Sequence, residues 1–199
     1  MIDNAARAIL PKYVRGLISL YRNLGISPNQ VTLASLAVTL VAAVAVAMGS
    51  TWVAIALWWL SRIFDGTDGI YARETGATSS FGAYLDILCD MASYSIMIVG
   101  FLLVHPQLTF SWVFILFLYV LCITSALSLG SLEFNATGEN KDNRALHFGA
   151  GLAEAGETGI AYTIFLLWPS GVVFTSTIWI VVLASTVISR TMLAHDVLK

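Results

Sequence analysis

Charge is what this sequence has least of. Only 11% of its 199 residues are Asp, Glu, Lys or Arg, while 58% are hydrophobic, and the mean hydropathy is +0.82. Its apolar runs are far longer than a soluble domain of this size needs to fill a core. The composition therefore predicts an all-α integral membrane protein, built as one compact domain over residues 1–199. A formal net charge of −2 offers no basic surface for nucleic acid and no sign of an acidic partner. The two cysteines, Cys89 and Cys122, lie in apolar segments without metal-ligand spacing. They exclude a disulfide framework and a zinc site, and read as buried thiols. The first 25 residues lack an apolar core followed by a small-residue cleavage site, so they are not expected to be removed as a signal peptide.

What is there instead is an amphipathic start followed by six apolar runs. Pro11 suits a first helical turn, and Val14, Leu17, Ile18, Tyr21 and Leu24 recur at helical spacing beside Arg7, Lys12, Arg15 and Arg22. Residues 1–26 are accordingly read as a helix lying on an anionic membrane face, with a helix packed on the rest of the protein as the alternative. Residues 27–199 are read as a six-helix bundle, with spans near 31–49, 52–73, 82–104, 109–132, 147–168 and 172–194. Ser27, Pro28 and Gln30 form the pattern of a capping box at the start of the first span. The connections at 49–51, 105–107 and 169–171 contain no Lys or Arg, and the basic residues fall toward the opposite ends. By the positive-inside rule both termini face the cytoplasm, in a cell membrane. Trp52, Trp112 and Trp168 then lie near the outer interface, with the filling of gaps between helices as the alternative for each.

Against this apolar background, four aspartates stand out in the second and third spans. A carboxylate in a membrane interior is costly and marks a functional site by default. Asp65 and Asp68 are three apart, and Asp86 and Asp90 four apart, so each pair shares one helix face. In an antiparallel hairpin, the helical rise puts Asp65 and Asp90 at a common depth of about 12 Å, with Asp68 and Asp86 shallower at about 6–8 Å. Converging carboxylates repel unless cations neutralise them. All-oxygen ligation suits Mg²⁺ or Mn²⁺, and four carboxylates suffice for two ions of the kind that serve phosphoryl transfer. The small residues Gly66, Gly69, Ala72 and Gly82 leave room for a ligand near the backbone, although small residues also pack membrane helices.

These residues carry a resemblance. Asp65-x2-Asp68-Gly69-x2-Ala72-Arg73-x8-Gly82-x3-Asp86-x3-Asp90 resembles the signature of the CDP-alcohol phosphotransferases at every defined position. Ser27-Pro28-Asn29-x2-Thr32 at the head of the first span is similar as well. The resemblance implies a metal-dependent transfer in which a hydroxyl attacks the β-phosphorus of a CDP-linked lipid or alcohol and expels CMP, a step of phospholipid biosynthesis. It implies Asp65, Asp68, Asp86 and Asp90 as metal ligands, with Asp90 also the general base. Asn29, Thr32, Gly69, Ala72, Arg73, Ser79 and Gly82 fall at positions implied to border the CDP donor, CDP-diacylglycerol or a relative. Arg73 can fork onto phosphate oxygens. The resemblance also implies a homodimer. It is weakest after residue 105, where the choice of acceptor is expected to reside.

A cation or proton transporter is the rival reading, since buried carboxylates can also line a pathway. The outer halves of the six runs hold no ionisable residue to continue one. Some charged residues lie outside the signature. Arg62 could pair with Glu157 or, three residues on, with Asp65, and Glu154 could remain protonated. Arg144, His147 and Arg190 end the fifth and sixth spans on the side of the aspartates. The two arginines could hold an acceptor bearing its own phosphate, such as glycerol phosphate or inositol phosphate, or serve as interfacial anchors.

Overall fold

The computed structural model describes residues 14–137 and 155–198, and among them there is helix but no strand. They fall into two compact units that divide between Gln107 and Leu108. The first contains α1 (Arg15–Asn23), α2 (Pro28–Ala47), α3 (Thr51–Glu74) and α4 (Ser80–Val104). The second contains α5 (Thr109–Thr137), α6 (Ala155–Leu167) and α7 (Val172–Val197), with a 3₁₀ turn at Pro169–Gly171; another, Pro106–Leu108, spans the division.

In the first unit α2 packs along both α3 and α4. Its start is the capping box that the sequence pattern predicts: Ser27 N donates to Gln30 Oε1 at 2.8 Å, and Gln30 N donates to Ser27 Oγ at 3.4 Å. Gly100 lets α4 approach α2 closely, because a Cβ there would stand 3.0 Å from the Ala43 carbonyl oxygen and 3.3 Å from Val46 Cβ. Small residues bring membrane helices together in this way, since lipid offers no hydrophobic drive for the contact. Trp58, Met97, Ile98 and Phe101 fill the remaining space and are buried.

The short helix α1 uses its apolar stripe differently from the membrane-lying reading. Val14, Ile18 and Tyr21 are buried against Val31, Ile70 and Tyr71, with Leu17 half-buried beside them. Two hydrogen bonds fix this docking, Tyr21 to Thr67 at 3.1 Å and Tyr71 OH to the Ile26 carbonyl at 2.9 Å. The stripe therefore packs on the protein's own α2 and α3, and of its apolar residues Leu20 and Leu24 remain exposed. Pro11, Arg7 and Lys12 lie outside the described residues.

Among the described residues, four helical segments are long and apolar enough to cross a membrane: Pro28–Ala47, Ser80–Val104, Pro106–Leu132 and Pro169–Val197. They correspond to the first, third, fourth and sixth runs of the sequence. α3 has 24 residues, about 36 Å of helix and so sufficient length, but it carries Arg62, Asp65, Asp68, Arg73 and Glu74. α6 has 13 residues, about 20 Å, and 147–154 at the head of the fifth run lie outside the described residues.

In the second unit α7 packs against α5 and α6 around the buried Trp112, Ile115, Tyr162 and Leu183. A polar relay crosses this core. Trp179 Nε1 donates to Tyr119 OH at 3.0 Å, and Tyr119 and Tyr162 share a hydrogen bond of 2.9 Å. Satisfying each hydroxyl inside the bundle avoids leaving it to hydrocarbon.

Candidate functional site

Three of the four aspartates predicted from spacing converge between α3 and α4. One carboxylate oxygen from each of Asp65, Asp86 and Asp90 lies within 4.8 Å of the others. Asp65 comes from α3, Asp86 and Asp90 from successive turns of α4, as the antiparallel hairpin requires. Asp65 and Asp90 also share a cation: Arg62 Nη1 is 2.8 Å from Asp90 Oδ1 and 3.5 Å from Asp65 Oδ2.

Asp68 is held elsewhere. Its carboxylate accepts the Thr32 hydroxyl through Oδ2 and the Gly69 amide through Oδ1, and the residue is buried. Its carboxylate thus links α3 to the first turns of α2, one helical turn from Asp65.

The three-carboxylate cluster fits a divalent, oxygen-seeking cation. Its donors are all carboxylate, the set that Mg²⁺ and Mn²⁺ prefer. Asp65 Oδ1 is buried and has no hydrogen-bond partner among the described residues, an arrangement that costs stability unless something positive faces the oxygen.

Arg62 is the residue that sequence reasoning placed only in part. Its pairing with Asp65 was one of two predicted options, whereas the closer contact is to Asp90. Its guanidinium lies 4.7 Å from the ring centroid of Trp58 and 5.4 Å from that of Tyr94. Trp58 sits four residues before Arg62 and Tyr94 four after Asp90, so both rings occupy the faces that carry the charges. That spacing was visible in the sequence and could have identified them.

The residues expected to border a CDP donor gather in two places. At the head of α4, Ser79 Oγ accepts from Gly82 N at 3.0 Å. A Cβ on Gly82 would stand 3.1 Å from Asn29 Oδ1 and 3.2 Å from Ser79 Oγ. Asn29, Ser79 and Gly82 thus adjoin, drawn from α2 and α4. Along α3, the Arg73 guanidinium folds back beside Gly69, its Nη1 3.4 Å from where a Cβ would be. Arg73 is exposed and Ala72 half-buried. Thr32 is directed to Asp68, as above.

In the second unit Arg190 is buried on α7, with Nη1 donating to the Cys122 carbonyl at 2.6 Å and to Ser125 Oγ at 3.3 Å. Glu157 stands in the first turn of α6. Arg144, His147 and Glu154 lie outside the described residues.

Known proteins share both the sequence and the fold. The inner membrane protein YnjF of Escherichia coli (strain K12) is 29% identical over 151 residues, covering 73% of this chain and 72% of that protein. An archaetidylinositol phosphate synthase of Pyrococcus horikoshii is 28% identical over 151 residues, 73% of this chain and 80% of its own. Among solved structures, phosphatidylinositol phosphate synthase of Mycobacterium tuberculosis with CDP-DAG bound superimposes with a TM-score of 0.65 at 20% identity, over 90% of this chain and 92% of that one. Its complex with manganese and citrate gives 0.63 at 21% identity, over 90% and 87%. At such identity the likeness is one of fold.

The model of the CDP-alcohol phosphatidyltransferases matches residues 25–192 and so takes in α2, all four aspartates, Arg73 and most of α7. This integral membrane protein therefore belongs to the CDP-alcohol phosphatidyltransferase family and is an enzyme of that class.

Proposed function

We propose that the protein transfers a phosphatidyl or related substituted phosphate group from a CDP-linked lipid, CDP-diacylglycerol or a relative, to a hydroxyl acceptor, releasing CMP. The observation that carries this reading is the meeting of Asp65, Asp86 and Asp90 on the two helices whose ends also bring Gly82 beside Ser79 and Arg73 beside Gly69. Asp65, Asp86 and Asp90 would hold divalent cation, Mg²⁺ or Mn²⁺, with Asp68 completing the set for a second ion. Such ions supply charge neutralisation at the diphosphate and polarise the phosphorus under attack.

The chain's own residues have separate tasks. Asp90, whose side chain is 25% exposed, takes the proton of the acceptor hydroxyl. The acceptor oxygen forms its bond to the β-phosphorus, and the bond from that phosphorus to the bridging oxygen breaks, leaving CMP with the electron pair. Arg73 offers a planar fork to phosphate oxygens. Asn29, Ser79 and Gly82 border the nucleotide, with Gly69 and Ala72 keeping the α3 face low. Thr32 acts on this face through Asp68, by the hydrogen bond it donates.

The chain works as one domain of six spans, the family match crossing both compact units. Its termini and the site lie at the cytoplasmic face of the cell membrane, and it functions as a homodimer. α1 sits at that face with Leu20 and Leu24 toward lipid. The orientation is supported by connections at 49–51, 105–107 and 169–171 that lack Lys and Arg.

The acceptor is a phosphate-bearing polyol such as inositol phosphate or glycerol phosphate. A doubly charged anion entering beside a diphosphate needs cations beyond Arg73, and Arg144 and Arg190 are the candidates. The curated relative that makes archaetidylinositol phosphate supports the same choice. The test supplies purified protein with CDP-diacylglycerol, Mn²⁺ and separate acceptors: inositol phosphate, glycerol phosphate, inositol, serine and choline. CMP and a new lipid should form with a phosphorylated polyol. Product from an unphosphorylated alcohol alone would reject the acceptor class while leaving the reaction class standing.

A further inference from the structure

Arg62 has no task in the reaction as proposed, and its surroundings are too constructed for a stray charge. A buried cation is costly unless it is paired, and its side chain is only 7% exposed. Two helices contribute symmetrically to holding it. α3 provides Trp58 and Asp65, and α4 provides Tyr94 and Asp90. The rings restrain the guanidinium, and one nitrogen, Nη1, faces both carboxylates. A purely structural pair would need one acid, yet this cation contacts two of the three members of the acidic cluster.

We propose that Arg62 is a positioning residue of the metal site: a resident counter-cation that holds Asp65 and Asp90 together across the helix pair, so that a divalent ion binds against a fixed positive charge and is held less tightly than three carboxylates alone would hold it. This inference rests on the metal-dependent reading of the same cluster. A unit charge opposing a divalent ion about 5 Å away changes affinity by about tenfold even with the screening of bulk water, and by more with less screening. Structural damage from losing Arg62 would have the opposite sign, since a loosened site binds metal more weakly.

The experiment is Mn²⁺ binding to the purified, substrate-free protein, followed by electron paramagnetic resonance. Wild type should bind, and Asp86→Asn, which removes a ligand without touching Arg62, should bind more weakly. Arg62→Gln, neutral but still able to hydrogen-bond Asp90, should bind about tenfold more tightly or better. Arg62→Lys, which keeps the charge, should stay within about threefold of wild type on the same electrostatic argument. An Arg62→Gln protein that binds no more tightly than wild type, with Asp86→Asn weakened as expected, overturns the proposal and leaves the metal reading intact. Wild type that fails to bind, or Asp86→Asn that binds like wild type, sinks both. Should Arg62→Gln not fold, wild type decides: Mg²⁺ should alter tryptophan emission through the guanidinium over Trp58, and Trp58→Phe should remove that change. Unaltered emission at saturating Mg²⁺ would then overturn it.

Discussion

Gly82→Ala should damage donor use while leaving the protein folded, and the structure gives the size of each effect. The added Cβ would lie 3.1 Å from Asn29 Oδ1 and 3.2 Å from Ser79 Oγ, so both must give by a few tenths of an ångström. For stability the effects oppose. Alanine improves helix propensity by up to about 1 kcal/mol, and disturbing the Ser79 cap costs about 0.5–2 kcal/mol, so the net change is on the order of 1 kcal/mol. That is about 2–4 °C in Tm for a chain of this length. Catalysis has no such compensation, because displacing groups that position a reactant by up to an ångström can cost about a hundredfold in rate. We therefore expect kcat/KM for CDP-diacylglycerol to fall about ten- to a hundredfold, mostly through KM, with a near-normal melting curve. The assay pairs thermal unfolding in detergent with initial rates of CMP release over a donor series. Donor kinetics within twofold of wild type would refute the placing of Asn29, Ser79 and Gly82 beside the nucleotide.

Three other substitutions or sets probe other links of the chain. Asp90→Asn keeps the shape of the side chain and removes the base, so kcat at saturating Mn²⁺ should fall by about 10²–10⁴ with CDP-lipid binding retained; turnover within a few-fold of wild type would contradict its role. Thr32→Val leaves the buried Asp68 carboxylate short of the hydroxyl donor, at a cost of about 1–3 kcal/mol, read as a lowered Tm. Thr32→Ser should restore it, and a Val variant as stable as wild type would show the bond to be idle. Cysteines introduced at Ser50, Gln107 and Ser170 should react with an impermeant thiol reagent from outside intact cells, and one at Thr78 should not; labelling at Thr78 would reverse the orientation.

The parts of the fold legible in the sequence were those fixed by local pattern. Long apolar runs mark α2, α4, α5 and α7, and Ser27-Pro28-Asn29-Gln30 marks the start of α2, because hydropathy and capping depend on neighbours along the chain. Carboxylate spacing gave the Asp65, Asp86 and Asp90 meeting for the same reason, once two helices are taken as antiparallel. What was not legible depends on a third helix or on competition between partners. Asp68 shares a face with Asp65 in sequence, yet α2 brings the Thr32 hydroxyl to its Oδ2, and no spacing within α3 reveals that. Arg62 chose between acids by distance, not by sequence separation, so Asp90, 28 residues on, holds it more closely than Asp65. The stripe of α1 reads identically whether it faces lipid or protein, and only the hydroxyls of Thr67 and Tyr71, with the Ile26 carbonyl, distinguish the two.

The central claim is that the clustered aspartates run a metal-dependent transfer from a CDP-linked lipid. The most direct measurement is CMP release from CDP-diacylglycerol by the purified protein with a mixture of polyol phosphates, stripped of metal and then titrated with Mn²⁺, beside Asp65→Ala treated identically. CMP should be absent without metal, appear with Mn²⁺ in the wild type, and remain absent at any Mn²⁺ concentration in the variant. CMP release that persists in chelator, or an Asp65→Ala protein that turns over like wild type, would contradict the account.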